Sequence, residues 1–271
     1  MKSKKENSLD SGLIGAVEGF GLSGKAVATM QFLLHDEELQ TMQEYANTVS
    51  IVRLGYNDHG PVHMKIVAMN AMKMFRLLRQ AEGKTSLETD GCGTFEDSLT
   101  GVLCAAMLHD LGMSIMRQEH EFHGAYFALP IIDRVFKEVY GSDLQKRVMI
   151  KALVLESITG HMGTRPVHTL EAGVLQVADG CDMTKGRARI PIAMGLSPRV
   201  GDIHQYSANS IEKVFISAGQ EKPIRVEVHM SAEVGFFQVE EVLLKKIAGS
   251  TAKPYIELYA QVQEEEAKRY L

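Results

Sequence analysis

The stretch Leu103-Cys104-Ala105-Ala106-Met107-Leu108-His109-Asp110-Leu111-Gly112 decides how this chain is read. An apolar, helix-compatible run ends in an imidazole and a carboxylate side by side. Such groups are costly in an apolar setting unless something pairs with them. A divalent cation pairs with both. His109 and Asp110 are therefore candidate metal ligands, and other parts of the chain must supply the rest.

Four further segments do so. His63 opens His63-Met64-Lys65-Ile66-Val67, and Val67, Ala71, Met74 and Leu78 recur at helical spacing, which puts His63 on their inward face. His120 opens His120-Glu121-Phe122-His123-Gly124-Ala125, and the pattern continues as a helix through Phe127 and Ile131. His161 ends the segment 148–161, where Ile150 and Val154 share its face. Asp179 closes Val174-Leu175-Gln176-Val177-Ala178-Asp179, one turn after Leu175. Taken singly, such a histidine is most simply a core residue bonded to a backbone carbonyl, and such an aspartate a helix cap. Together, His63, His109, Asp110, His120, His161 and Asp179 exceed the roughly four ligands that one ion needs. The excess predicts two ions, with Asp110 between them. Imidazole and carboxylate suit Zn, Mn or Fe, and Mg and Co belong to the same expected set of divalent ions.

The ordered set resembles the HD-domain superfamily of metal-dependent phosphohydrolases, over roughly residues 50–195. His63-x-x-x-Val67 is similar to the first helix of that family, and Leu108-His109-Asp110-Leu111-Gly112 to its signature. His120-x-x-x-Gly124-Ala125 is similar to the His-Pro-x-x-Gly-Ala element of dinuclear members, and Val177-Ala178-Asp179 followed by Asp182 to the closing helix. The resemblance implies a mainly α fold, a helical bundle with a dinuclear centre at which Asp110 and His109 are catalytic. It implies hydrolysis of a phosphate ester, such as a nucleotide, by a hydroxide bridging the metals. The chain departs from the HD-GYP branch: His161-Met162-Gly163-Thr164-Arg165-Pro166 carries no Gly-Tyr-Pro and no doubled histidine, which argues against cyclic dinucleotides. The same ligands would also serve a di-iron oxygenase of the HD type, and a regulatory binder could keep the fold. Iron with oxygen consumption would mark the former, and loss of ligands the latter. A second His-Asp pair, His35-Asp36, precedes Glu37 and Glu38 and reads as an acidic helix start rather than a ligand pair.

Arg165, Lys185, Arg187 and Arg189 are the cations nearest the last ligands in sequence, and guanidinium groups bind phosphate bidentately. They are the expected substrate-binding residues, together with His123, three residues beyond His120. The competing reading of the basic run is a solvated helix end. His59 lies four residues before His63, which is favoured because its downstream apolar face is in register, and His168 lies too far from Asp179 to ligate.

The chain has 271 residues, 45% of them hydrophobic and 23% charged, with a net charge of −5. That balance argues against a general nucleic-acid or membrane surface. No apolar run approaches the roughly 18 residues of a membrane span, and Met-Lys-Ser-Lys-Lys-Glu-Asn-Ser has no apolar core behind its charges. Cys92, Cys104 and Cys181 make no disulfide framework, so a cytoplasmic location is expected.

Three regions are expected: a polar, Gly-rich N-terminal segment over 1–30, the helical metal-binding domain over 31–200, and a small α+β module over 201–271. Gly15 to Gly24 lacks the strand-then-helix context of a phosphate loop. The stretch 82–96 reads as a loop or insertion. In the module, 213–217 and 224–230 alternate as strands do, 239–247 reads as a helix, and 255–262 as a strand running into a charged tail. The strand faces could support a homodimer. The expected partner is a small phosphorylated substrate.

Overall fold

The computed structural model describes residues 4–185 and 203–271. Its helical part runs α1 (Lys4–Glu18), α2 (Lys25–His35), α3 (Glu37–Thr48), α4 (Pro61–Gln80), α5 (Ser86–Thr89), α6 (Phe95–Leu108), α7 (His120–Tyr140), α8 (Leu144–Gly160) and α9 (Leu170–Gly180). After α10 (Ile203–Ser210) come β1 (Ile211–Ala218) and β2 (Ile224–Met230). The chain then passes through α11 (Phe236–Gln238), a π-helical turn (Val239–Leu243) and α12 (Leu244–Ala248) to β3 (Ile256–Val262) and β4 (Lys268–Arg269). A mainly helical domain with a small α+β module is the fold class that the sequence led us to expect.

Helix α6, which delivers the His-Asp pair, is the axis of the bundle. It starts with a capping box: the Thr94 hydroxyl accepts from Asp97 N while the Asp97 carboxylate accepts from Thr94 N. Lys146 of α8 closes on the same carboxylate at 2.6 Å, and the Tyr140 hydroxyl donates to it at 3.0 Å. Every residue of α6 is buried: its polar first turn is hydrogen-bonded, and the helix is apolar all round from Gly101 on. Helices α2, α4, α8 and α9 pack on it. Gly101 permits the approach of α8, because an added Cβ would come within 2.7 Å of Leu153 Cδ2. In α4, Val67, Ala71, Met74 and Leu78 are buried with His63, as their spacing requires.

Two local readings change. The Gly-rich start is largely helical: α1 and the beginning of α2 cover most of it, and Leu13 and Val17 bury against α4. Its glycines masked that apolar i, i+4 pair. Within 82–96 lies one capped turn, α5, held by a Thr85–Glu88 capping box and by Glu171 of α9, which accepts from Ser86 N and Leu87 N at 3.2 and 3.1 Å.

The sheet order is β1-β2-β3-β4, antiparallel at both ends and parallel between β2 and β3. Ile224, Val226, Val228 and Met230 alternate inward and meet Ile256, Leu258, Ala260 and Val262 in register. A parallel pair needs a crossover, and the helical run from α11 to α12 supplies it. Val239, Leu243 and Ile247 of that run join the same core as the helical domain. β4 lies in the charged tail, too short and polar to announce itself. Among the described residues, no helix is long and apolar enough to cross a membrane.

Candidate metal centre

The site is built at helix ends. His109 follows the last residue of α6 and His161 the last of α8, where carbonyls lack intrahelical partners. Each ring turns back to satisfy one: His109 Nδ1 donates to Ala106 O at 2.9 Å, and His161 Nδ1 to Ile158 O at 2.7 Å. His120 opens α7 after Glu119, whose φ is 54°, and its Nδ1 donates to Arg117 O at 2.9 Å. His63, in the first turn of α4, donates from Nδ1 to Asp182 Oδ2 at 2.7 Å. A carbonyl or carboxylate oxygen can only accept, so each ring carries a proton on Nδ1, and Nε2 is the nitrogen turned toward the site.

The four Nε2 atoms converge on one carboxylate, in two sets. His63 Nε2 lies 3.2 Å from Asp110 Oδ2 and from Asp179 Oδ1, and His109 Nε2 lies 3.4 and 3.9 Å from the same two oxygens. His120 and His161 Nε2 lie 3.2 and 3.5 Å from the other Asp110 oxygen, Oδ1. Within the sets, His63 and His109 Nε2 are 3.2 Å apart, as are His120 and His161 Nε2. Where neither nitrogen carries a proton, the two cannot hydrogen-bond to each other, and a cation among them satisfies every atom. All six side chains are buried. Burial pushes His109 down to about 3, keeping it neutral, as a ligating imidazole must be. Burial alone would raise Asp110, but the surrounding imidazoles, His109 first, bring it well below the ordinary carboxylate range. Asp179 would also be raised by burial, and the Lys246 ammonium and the His63 ring hold it well below. Imidazole nitrogens around ionised carboxylates are the donor set of a divalent ion, so the residues present fit one.

The two sets are braced through the backbone. Gly112, in the 3-10 turn after Asp110, packs on the start of α7: an added Cβ would lie 1.9 Å from His120 O and 2.5 Å from Gly124 N. Gly124 in turn approaches His109 O. The glycines of the two motifs hold each other, and with them the spacing of His109-Asp110 from His120.

The site opens into a cavity of about 530 Å³, lined on one part by Tyr56, His59, Arg117 and Met183 and on another by Ala208, Gln238, Val242 and Lys246 of the C-terminal module. Of the substrate-binding residues expected from sequence, the described ones, Arg165, Lys185 and His123, are not among its lining residues. Lys185 pairs with Glu212 of β1, and Arg165 stacks 4.7 Å over Phe122. His123, on α7, is half-buried away from both sets of ligands. Arg187 and Arg189 lie outside the described residues. Sequence adjacency to Asp179 does not carry the described cations to the cavity, because their side chains find nearer partners.

Lys246 and Arg117 were missed, and Asp182 was read only as part of the closing helix. Asp182 orients His63, Lys246 pairs with the second Asp179 oxygen, and the Arg117 guanidinium comes to 3.2 Å from the His120 ring edge. Asp182 alone had a signal, its place three residues after Asp179. Asp182→Asn keeps the shape but weakens the acceptor, and should cost the His63 set about 10–100-fold in metal affinity, as second partners of ligating histidines do. Competition with a chelator checks this. Unchanged affinity would remove Asp182 from the centre.

A family model of the HD domain matches residues 62–184, a span containing all six side chains and Asp182. An uncharacterized protein of Methanocaldococcus jannaschii is 45% identical over 233 residues, covering 86% of this chain and 88% of that protein. The chain belongs to the HD-domain superfamily. Ribonuclease Y of Clostridium botulinum is 24% identical to this HD-domain chain over 151 residues, 55% of the chain and 27% of that protein. Ribonuclease Y of Clostridium perfringens is 25% identical over 146 residues, 53% of the chain and 26% of that protein. The HD-domain chain thus spans about a quarter of the ribonuclease Y sequences it matches. No solved structure matches it.

Proposed function

We propose that this HD-domain protein is a phosphohydrolase that cleaves a small phosphate ester, such as a nucleotide, at a centre holding two divalent ions. The observation that carries the reading is the convergence of four Nε2 atoms on the two oxygens of Asp110. His63, His109, Asp110 Oδ2 and Asp179 Oδ1 would hold one ion; His120, His161 and Asp110 Oδ1 would hold the other. When bound, such ions supply a water of lowered pKa and positive charge for the phosphate oxygens.

The chain's own residues do the rest. The Nδ1 bonds to Asp182 and to three carbonyls lock each ring in one tautomer and orientation. Asp110 ties the two sets together through its two oxygens. Arg117, on the cavity wall, offers a planar guanidinium to phosphate beside the second set. No Ser or Cys nucleophile is required. Cys104 and Cys181 are buried, and burial pushes both thiols up, away from reactivity. Ribonuclease Y is named for acting on RNA. The part of the cavity wall supplied by the C-terminal module supports a small ester here instead.

The test is elemental analysis of the purified protein, then a panel of p-nitrophenyl phosphate, nucleoside monophosphates, bis-p-nitrophenyl phosphate and a short RNA, with Mn, Fe, Mg, Zn and Co in turn. Turnover of at least one phosphate ester is expected, lost to a chelator and restored by one of the metals. A protein carrying two ions that cleaves none of them would end the reading. Oxygen consumption by the ferrous-loaded protein would move it to the di-iron oxygenases.

A further inference from the structure

Lys246 is out of place by ordinary packing rules. It lies in α12, on the crossover of the C-terminal module, yet its residue is only 8% exposed and its ammonium pairs with Asp179 Oδ2. The chain makes room for it. Its stem passes between two glycines: an added Cβ would come within 3.4 Å of Lys246 Cγ at Gly163 and within 3.2 Å of Lys246 Cδ at Gly180. Gly163 has φ +75°, a conformation that glycine adopts freely. The backbone at Lys246 is latched to the ligand helix, since Gln176 Nε2 donates to Lys246 O at 3.0 Å. Ser250 Oγ donates to Gly173 O at 2.9 Å and Thr251 Oγ1 to Thr169 O at 2.6 Å, fastening the end of the crossover along α9.

Stability does not call for this lysine. A buried ion pair replaced by well-packed apolar residues often leaves a protein as stable or more so. What an apolar residue could not supply is charge on the cavity wall. Among the described residues lining the cavity, Arg117 and Lys246 are the two that carry a fixed positive charge. The carboxylates there are Asp110, Asp179 and Asp182. Lys246 therefore makes the site one charge more positive than the HD helices and Arg117 alone would make it. A phosphate monoester dianion brings one more negative charge than a diester, and its additional terminal oxygen can accept from an ammonium that has donors left after meeting Asp179.

We propose that Lys246 is a specificity-determining residue that selects phosphate monoesters over diesters, and that the C-terminal module is through it part of the substrate site. The inference rests on the phosphohydrolase reading, and binding measurements separate the two. Metal-loaded wild type, K246Q and K246R are titrated calorimetrically with inorganic phosphate and with dimethyl phosphate, alongside turnover of p-nitrophenyl phosphate and bis-p-nitrophenyl phosphate. Wild type should prefer inorganic phosphate. K246Q, which keeps a hydrogen-bond donor without the charge, should weaken phosphate binding by about 10–100-fold, the range of a charge-assisted hydrogen bond. It should weaken dimethyl phosphate much less, and K246R, which keeps the charge, should recover most of the preference. Phosphate binding by K246Q equal to wild type overturns the proposal. So does equal loss of both anions together with metal, which would reduce Lys246 to a support for Asp179. If the Lys246-dependent preference stands but no ester is hydrolysed, the phosphohydrolase reading fails and the anion site remains.

Discussion

On the proposed dinuclear reading, Asp110→Asn should remove hydrolysis and the retention of both ions together. The substitution is isosteric, so the buried side chain still fills its place, and Tm should fall no further than that of wild type stripped of metal by a chelator. It replaces one charged oxygen by an amide nitrogen that cannot ligate, and leaves the other oxygen neutral. Both sets of Nε2 atoms lie within 3.5 Å of one or other Asp110 oxygen, so neither keeps its shared carboxylate. Turnover should fall by on the order of 1000-fold or more, a loss of roughly 4 kcal/mol of transition-state stabilisation at 1.36 kcal/mol per decade. His120→Ala provides the contrast, because His120 touches only the Oδ1 set and should deplete one ion. Elemental analysis beside turnover checks both. Full occupancy and rate in Asp110→Asn would show that Asp110 bridges nothing.

Gly112→Ala should be among the most damaging single-carbon additions in the chain. Its Cβ would sit 1.9 Å from His120 O and 2.5 Å from Gly124 N, both backbone atoms that no rotamer change can move. Overpacking of this kind costs about 3 kcal/mol or more. At roughly 2–4 °C per kcal/mol for a domain of this size, Tm should drop by about 6–12 °C. Relief of the clash pushes the start of α7 away, so His120 should leave Asp110 and the second ion should be lost first. Gly15→Ala is the control. An added Cβ there meets nothing within 4 Å, and the helical site should be unchanged or stabilised by about 0.5–1 kcal/mol. Thermal denaturation and metal analysis decide. A Gly112→Ala protein that melts as wild type with its second ion in place would refute the bracing role.

The six side chains of the centre were legible because each breaks a local pattern. An imidazole or carboxylate on the apolar face of a helix is a conflict that one sequence exposes, and the conflict recurs once in segment after segment. The glycines of the His-Asp and His120 motifs were legible as motif residues but not as contacts. Their reason is a backbone approach between 112 and 124 that only three dimensions supply. Asp182, Arg117 and Lys246 break no local pattern: a lysine amid Leu244-Lys245-Lys246-Ile247 reads as a solvated helix face. The basic run after Asp179 drew attention because proximity in sequence stood in for proximity in space. Lys185 shows the weakness of that substitution, since its ammonium turns to Glu212. In the module, strand alternation gave β2 its full span, whereas β4 is two charged residues recognisable only by their pairing with β3.

The docking of α12 on α9 also sets an order of events during synthesis. Every proposed ligand has left the ribosome by Asp179, whereas Lys246 follows 67 residues later. At about 5–20 residues per second, that is an interval of roughly 3–13 s. Throughout it, the ligand helices can assemble while Asp179 lacks the cation that will share it. The last contact to form closes a long loop, the kind of step that slows folding. On the proposed roles, a nascent chain would hold all its metal ligands before it holds the lysine that discriminates between substrates.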